Sequence, residues 1–198
     1  MSIENPASLE GYPEESLVQE TAATVERGES TQAGGFEVDF SFESTLSTPE
    51  EAMDKVEKCL KELDWPEDEG IAFARAVEEA MTNAVVHNNL GIKHEDGEDH
   101  ATYVDKIRTA AAGPDGKKNV GMSIDASTNK IEVKIKDEGN YIMEMDDRVD
   151  PTTGENLLLP RGRGQFLIFN GCDEVRSNPG ELVLVKYRGG PKRQSGEE

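Results

Sequence analysis

Glu78-Glu79-Ala80-Met81-Thr82-Asn83-Ala84-Val85-Val86-His87 sets Glu79, Asn83 and His87 four residues apart inside a strongly helical stretch. On an α-helix such positions are neighbours on one face, so the three side chains form a single polar column. Val77, Ala80, Met81, Ala84 and Val85 flank it. A carboxylate and a carboxamide beside a buried stripe are costly unless something polar faces them, and a metal-bound phosphate group is one such partner. A solvated helix face is the commoner meaning of such a triple. What lifts this one is its company: Asp137-Glu138-Gly139 straight after a predicted strand, and Gly162-Arg163-Gly164-Gln165-Phe166-Leu167-Ile168 opening a predicted short helix.

Outward from that segment, composition narrows the field. With 198 residues the chain can hold one domain with a sizeable core and tails. Its 41 acidic against 21 basic residues give a net charge of −20, which repels phosphate backbones and anionic membranes. Any nucleotide must then be held locally, by backbone amides, a few arginines and a divalent cation. Cys59 and Cys172 are the only cysteines, too few for a disulfide scaffold or a zinc site. Met1 to Pro6 lacks the basic and apolar regions of a signal peptide, and Phe166–Phe169 is too short to span a bilayer. The expected setting is the cytoplasm.

Residues 1–34 carry seven glutamates against Arg27 and few large apolar side chains; such a stretch reads as a disordered acidic tail. Residues 188–198 read as a second, shorter tail. Order is expected from Phe36, where Phe36, Val38, Phe40 and Phe42 alternate with polar residues as in a half-buried strand. Thr48-Pro49-Glu50-Glu51 reads as a capping box opening a helix to about Leu63. A second helix is expected from Asp64-Trp65-Pro66-Glu67 to about Asn88. Residues 89–119 form a Gly- and acid-rich stretch with a short helix near 101–112; its His94, Glu95, Asp96, Glu98, Asp99 and His100 match no metal spacing and read as solvated loop. Val120, Met122 and Ile124, then Ile131, Val133 and Ile135, predict a β-hairpin ending at Asp137. Residues 140–161 form a long loop, followed by a helix over 164–171 and strands over 172–176 and 182–187. The expected class is α+β, a two-layer sandwich with a mixed, mostly antiparallel sheet and helices on one face.

The chemistry follows from residue types. Gly162, Arg163 and Gly164 at a helix N-terminus can present backbone N–H groups to phosphates, with Arg161 and Arg163 adding local positive charge. The amide oxygen of Asn83 suits a hard cation. Asp137 can accept from an exocyclic amino group such as adenine's, with Gly139 admitting the base, and Glu79 can take a proton from an attacking hydroxyl or water.

The run Trp65-Pro66-Glu67, Ala76 to Ala80, Asn83-Ala84 and His87-Asn88 resembles the N box of the GHKL (Bergerat-fold) ATPases, nearest to the anti-sigma-factor serine kinases of the RsbW type. Asp137-Glu138-Gly139 resembles their first glycine box and Gly162–Ile168 their second, followed by the similar Asp173-Glu174-Val175. The resemblance spans roughly 36–187, and it implies a histidine-kinase-like ATPase domain over 35–187, with an insertion at about 91–118 and an ATP lid at about 141–161. It implies ATP and Mg²⁺ as ligands. Glu79 would be the general base and Asn83 the magnesium ligand. Asp137 would be the adenine anchor, with Gly139, Arg161, Gly162, Arg163, Gly164 and Gln165 around the nucleotide. The implied partners are a STAS-domain anti-anti-sigma factor carrying the phosphorylated serine, a sigma factor, and a second copy of the chain as a homodimer. Two departures touch the pocket: Tyr141 stands at the second glycine of the first glycine box, and Val183 where a late-strand threonine is common. They leave open a rival reading, a non-catalytic module that sequesters a regulator. A simple ATPase or the catalytic part of a split histidine kinase ranks lower, because no dimerisation-and-phosphoacceptor helix pair is present.

Overall fold

In the computed structural model, residues 24–28, 35–95, 97–139 and 163–190 are described, with the backbone alone for 24–28 and Arg163. Alternation dictates the strands. β2 (Phe36–Glu43) buries Val38, Phe40 and Phe42 and exposes Glu37, Asp39 and Ser41. β3 (Asn119–Ala126) and β4 (Lys130–Lys136) make the expected hairpin, burying Val120, Met122, Ile124, Ile131, Val133 and Ile135 on one face. β5 (Glu174–Asn178) and β6 (Glu181–Tyr187) close the chain. β5 starts two residues later than the sequence suggests. Asp173 ties itself to β6 through its carboxylate, which accepts the Tyr187 N–H at 2.7 Å. A further strand, β1 (Thr24–Gly28), lies inside the stretch read as a tail. It pairs with β2 through backbone groups, which a reading based on side-chain burial does not register. The sheet order is β1-β2-β3-β4-β6-β5, with every neighbouring pair antiparallel.

Helices cover one face. α1 (Thr48–Glu62) is capped differently from the expected box. Ser47 holds the N-cap position, and the Thr48 hydroxyl turns back to donate to the Glu43 carbonyl at 2.6 Å, tying the helix to the end of β2. The helix ends in a Schellman motif, with Trp65 N–H on Leu60 O and Asp64 N–H on Lys61 O. Asp64 takes the left-handed position at φ 54°. The Trp65 indole then donates to Ser127 O at 3.0 Å, pinning this corner to the hairpin turn.

α2 (Glu67–Thr82) is the central helix, packed between α1 and α4 (Arg163–Gly171). α4 runs antiparallel to it: Gly164 lies on Glu79, and Gly171 lies on the Ala72 carbonyl and Ala76. α3 (His100–Ala111) lies in the acid-rich stretch that precedes β3. The core between the layers is built on Phe73, Val77, Met81, Ile124, Ile131 and Ile168, all fully buried. Cys59 and Cys172 are part of it, and burial pushes their thiols up to about 11 and about 12, so both are packing groups rather than nucleophiles.

Candidate active site

The helix carrying the polar column changes character inside it. α2 is regular to Thr82, and Asn83–Asn89 continues as a π-helical turn. Such turns are rare and recur at functional sites. Glu79 lies in the regular part of the helix, and Asn83 and His87 lie in the π-helical turn. His87 is exposed, and its Nδ1–H donates to Ile92 O at 2.7 Å, closing the end of the turn. That matches the helix-end role that the sequence allows it.

Glu79 and Asn83 are half-buried, and among the described residues neither side chain has a hydrogen-bond or ion-pair partner. Burial holds the Glu79 carboxyl above the ordinary glutamate range; the charge of His87 opposes this and that of Glu78 adds to it.

The π-turn has a second consequence, at its far end. Asn89, fully buried, donates to Ser44 Oγ at 2.9 Å and to Asn119 O at 3.1 Å, and its Oδ1 accepts the Glu138 N–H at 2.9 Å. Asn88 donates to Asp137 Oδ2 at 2.8 Å, while Gly139 N–H donates to Asp137 Oδ1 at 2.7 Å. Both asparagines therefore grip the Asp137-Glu138-Gly139 turn. A Cβ on Gly139 would stand 2.7 Å from Asn88 Cβ, so glycine is required there by protein packing as well as by any ligand. Asp137 and Gly139 are legible in the sequence, whereas the bonding role of Asn88 and Asn89 is not. The signal was two adjacent asparagines after a strongly apolar helix, which ordinarily marks a fraying end.

On the other side of α2, the first turn of α4 meets Glu79. Gly164 packs directly on the glutamate side chain, and Gln165 is half-buried beside it. Arg161, Gly162, Tyr141 and the expected lid at 141–161 lie outside the described residues, as does the Arg163 side chain. Val183 is corrected by strand parity. It pairs with Lys134 and Arg176, and it is buried outside the main core, whereas Leu184 joins that core. Val183 thus faces away from the helices, and the strand positions on the helix side are Leu182 and Leu184.

α3 lies close to the short helix expected near 101–112, while His94, Glu95, Glu98 and Asp99 are more built than the solvated loop expected there. Asp99 caps α3 by accepting Thr102 N–H at 3.0 Å, and Lys106 bridges Glu95 and Glu98 at 2.8 and 2.6 Å. The His94 and Tyr103 rings lie 4.9 Å apart, and Ile107 is buried. Burial raises the Tyr103 hydroxyl, and the charges of Glu98 and Glu79 raise it further. Among the described residues no group of three or more His, Cys, Asp or Glu side chains is placed to hold a metal. No helix there is long and apolar enough to cross a membrane.

A family model described as the histidine kinase-like ATPase domain matches residues 42–186, from the end of β2 to β6. No curated protein matches the chain.

Proposed function

With most of its 198 residues inside that match, the chain belongs to the histidine kinase-like ATPase domain family, and from this we propose that it binds ATP with Mg²⁺ and transfers the γ-phosphoryl group to a serine of a protein partner. The observation that carries the reading is the condition of Glu79. Its half-buried carboxyl is raised by burial and has no partner among the described residues. An equally unpartnered Asn83 amide lies one turn away, and the first turn of α4 lies against it. A perturbed, unpaired carboxyl between two helices is what a reacting group looks like.

The other groups fit the same ligand. Asp137 already accepts from Asn88 and Gly139, one bond to each oxygen. A carboxylate oxygen has a second lone pair, so capacity remains for the amino group of a base. Asn83 Oδ1 is the kind of oxygen a hard cation takes. Bound Mg²⁺ would spread the negative charge on the phosphates. Glu79 would take the proton of the attacking serine hydroxyl as the new O–P bond forms and the bond to the β-phosphate oxygen breaks. A glutamate raised by burial is a stronger base than a solvated one.

The resemblance of the three boxes supports an anti-sigma-type regulator acting on a serine-bearing STAS-domain antagonist. The test is calorimetric titration with a non-hydrolysable ATP analogue, with and without Mg²⁺, on wild type, Asn83→Ala and Asp137→Asn. Magnesium-dependent binding weakened by both substitutions is expected. No binding at millimolar analogue sinks the reading and leaves a non-catalytic interaction module.

A further inference from the structure

We propose that Gly164 is a positioning residue for Glu79: its bare Cα is the floor on which the glutamate carboxyl rests, and this contact excludes a side chain at that position. The inference rests on the reading of Glu79 as the base. A Cβ built on Gly164 would fall inside the Glu79 carboxyl group, with Glu79 Cγ at 3.0 Å, and its three nearest neighbours are all atoms of that one side chain. Glycines before a helix are ordinarily explained by the approach of phosphate to backbone amides. Here the neighbour is the chain's own carboxyl.

Neither backbone can retreat. α4 is anchored by Ile168, fully buried, and by Gly171, where a Cβ would stand 2.6 Å from Ala76 Cβ. α2 is held in the core by Phe73, Val77 and Met81, all fully buried. The adjustable part is the Glu79 side chain, which is unpartnered and ends in a flexible carboxyl. A methyl group on residue 164 therefore turns Glu79 into another rotamer and leaves the helices in place. The base is displaced while Asn83 and Asp137 stay where they were. A misplacement of about 1 Å is enough to lower turnover about 100-fold.

The experiment is a double-mutant cycle on the full chain, with Gly164→Ala made in the wild-type, Glu79→Ala and Glu79→Asp backgrounds. It reads melting temperature, affinity for the non-hydrolysable analogue with Mg²⁺, and kcat and KM for MgATP turnover. In the wild-type background Gly164→Ala should lower kcat about 30- to 100-fold with KM and analogue affinity changed less than about threefold. Melting should fall in that background and not in Glu79→Ala, where no carboxyl meets the methyl. Glu79→Asp, one methylene shorter, should lose proportionally less kcat than wild type. Equal loss of analogue affinity in all three backgrounds means that the phosphates need the glycine, and it overturns the proposal. So does a melting cycle without coupling. Coupled melting in a protein whose wild type turns over no ATP sinks the kinase reading and keeps the contact.

Discussion

At Glu79 the fold and the charge pull in opposite directions. Burial favours the neutral carboxyl, so the folded state binds its proton more tightly than the unfolded chain does. The associated stability is present below the unfolded value of 4.5 and is lost as pH rises through the raised folded value. Glu79→Gln, neutral throughout, should then raise the melting temperature at pH 8 by about 2–4 °C, the shift that ~1 kcal/mol gives a chain of this size. The gain should shrink as pH falls towards 5; a gain constant with pH refutes burial as the governing cause. The same variant should keep analogue affinity and lose transfer by about 100-fold or more. Asn88 is the second residue to test, because its amide orients the Asp137 carboxylate. Hydrogen bonds to charged groups are worth about 1.5–3 kcal/mol, so Asn88→Ala should weaken analogue binding roughly tenfold in calorimetry while MgATP turnover at saturation persists. An unchanged Kd would mean that Gly139 N–H alone orients Asp137.

Elements whose period was clear were legible, and those shaped by long-range bonds were not. β2 falls on the alternation from Phe36 to Glu43, and the β3–β4 hairpin on two alternating apolar runs. The π-turn, by contrast, follows an unbroken apolar pattern through Val85 and Val86. What widens it is the demand of Asn88 and Asn89 for partners at Asp137, Glu138, Ser44 and Asn119, none of them near in sequence. The Thr48 box failed for a similar reason: Glu43 O, across the β2–α1 corner, claimed the hydroxyl. Two element ends can be tested. Asp64 holds the left-handed corner after α1, a conformation that glycine takes without strain, so Asp64→Gly should raise unfolding stability by ~0.5–1 kcal/mol in urea titration. A loss there would mean that the aspartate side chain does more than the turn requires. Asp173 joins Lys186 at 3.2 Å with both side chains largely buried, besides accepting Tyr187 N–H. Removing one partner of such a pair costs about 3–5 kcal/mol, so Asp173→Ala should lower the urea midpoint sharply without changing analogue affinity in the folded protein. The aspartate after the second glycine box is thereby assigned to the β5–β6 edge rather than to chemistry.

For the molecule as a whole, the layered α+β arrangement and the ordering of the three boxes were readable because each box sits where one regular element hands over to another. The contacts between boxes were not, since Gly164 meets Glu79 across 85 positions of sequence that no periodicity links. Charge was legible, and it has a consequence for the site. A chain at −20 must admit a polyanionic nucleotide against its own field. Most ion pairs among the described residues, such as Arg75–Glu78 and Arg108–Asp105, are exposed and contribute about 0–1 kcal/mol each, so they do not offset the self-repulsion. Added salt shortens the reach of that field from ~30 Å at 0.01 M to ~8 Å at 0.15 M. Sodium chloride should therefore raise the melting temperature and speed association of the analogue, measured at fixed saturating Mg²⁺, over that range. A basic ligand site that dominated the field would instead slow association as salt rises. Sulfate is unsuited to the comparison, because it strengthens apolar burial at any net charge. Association that slows with sodium chloride would show that the arginines around the second glycine box outweigh the rest of the molecule in steering the nucleotide. Association that quickens would show that ATP reaches the cleft between α2 and α4 in spite of the chain's charge.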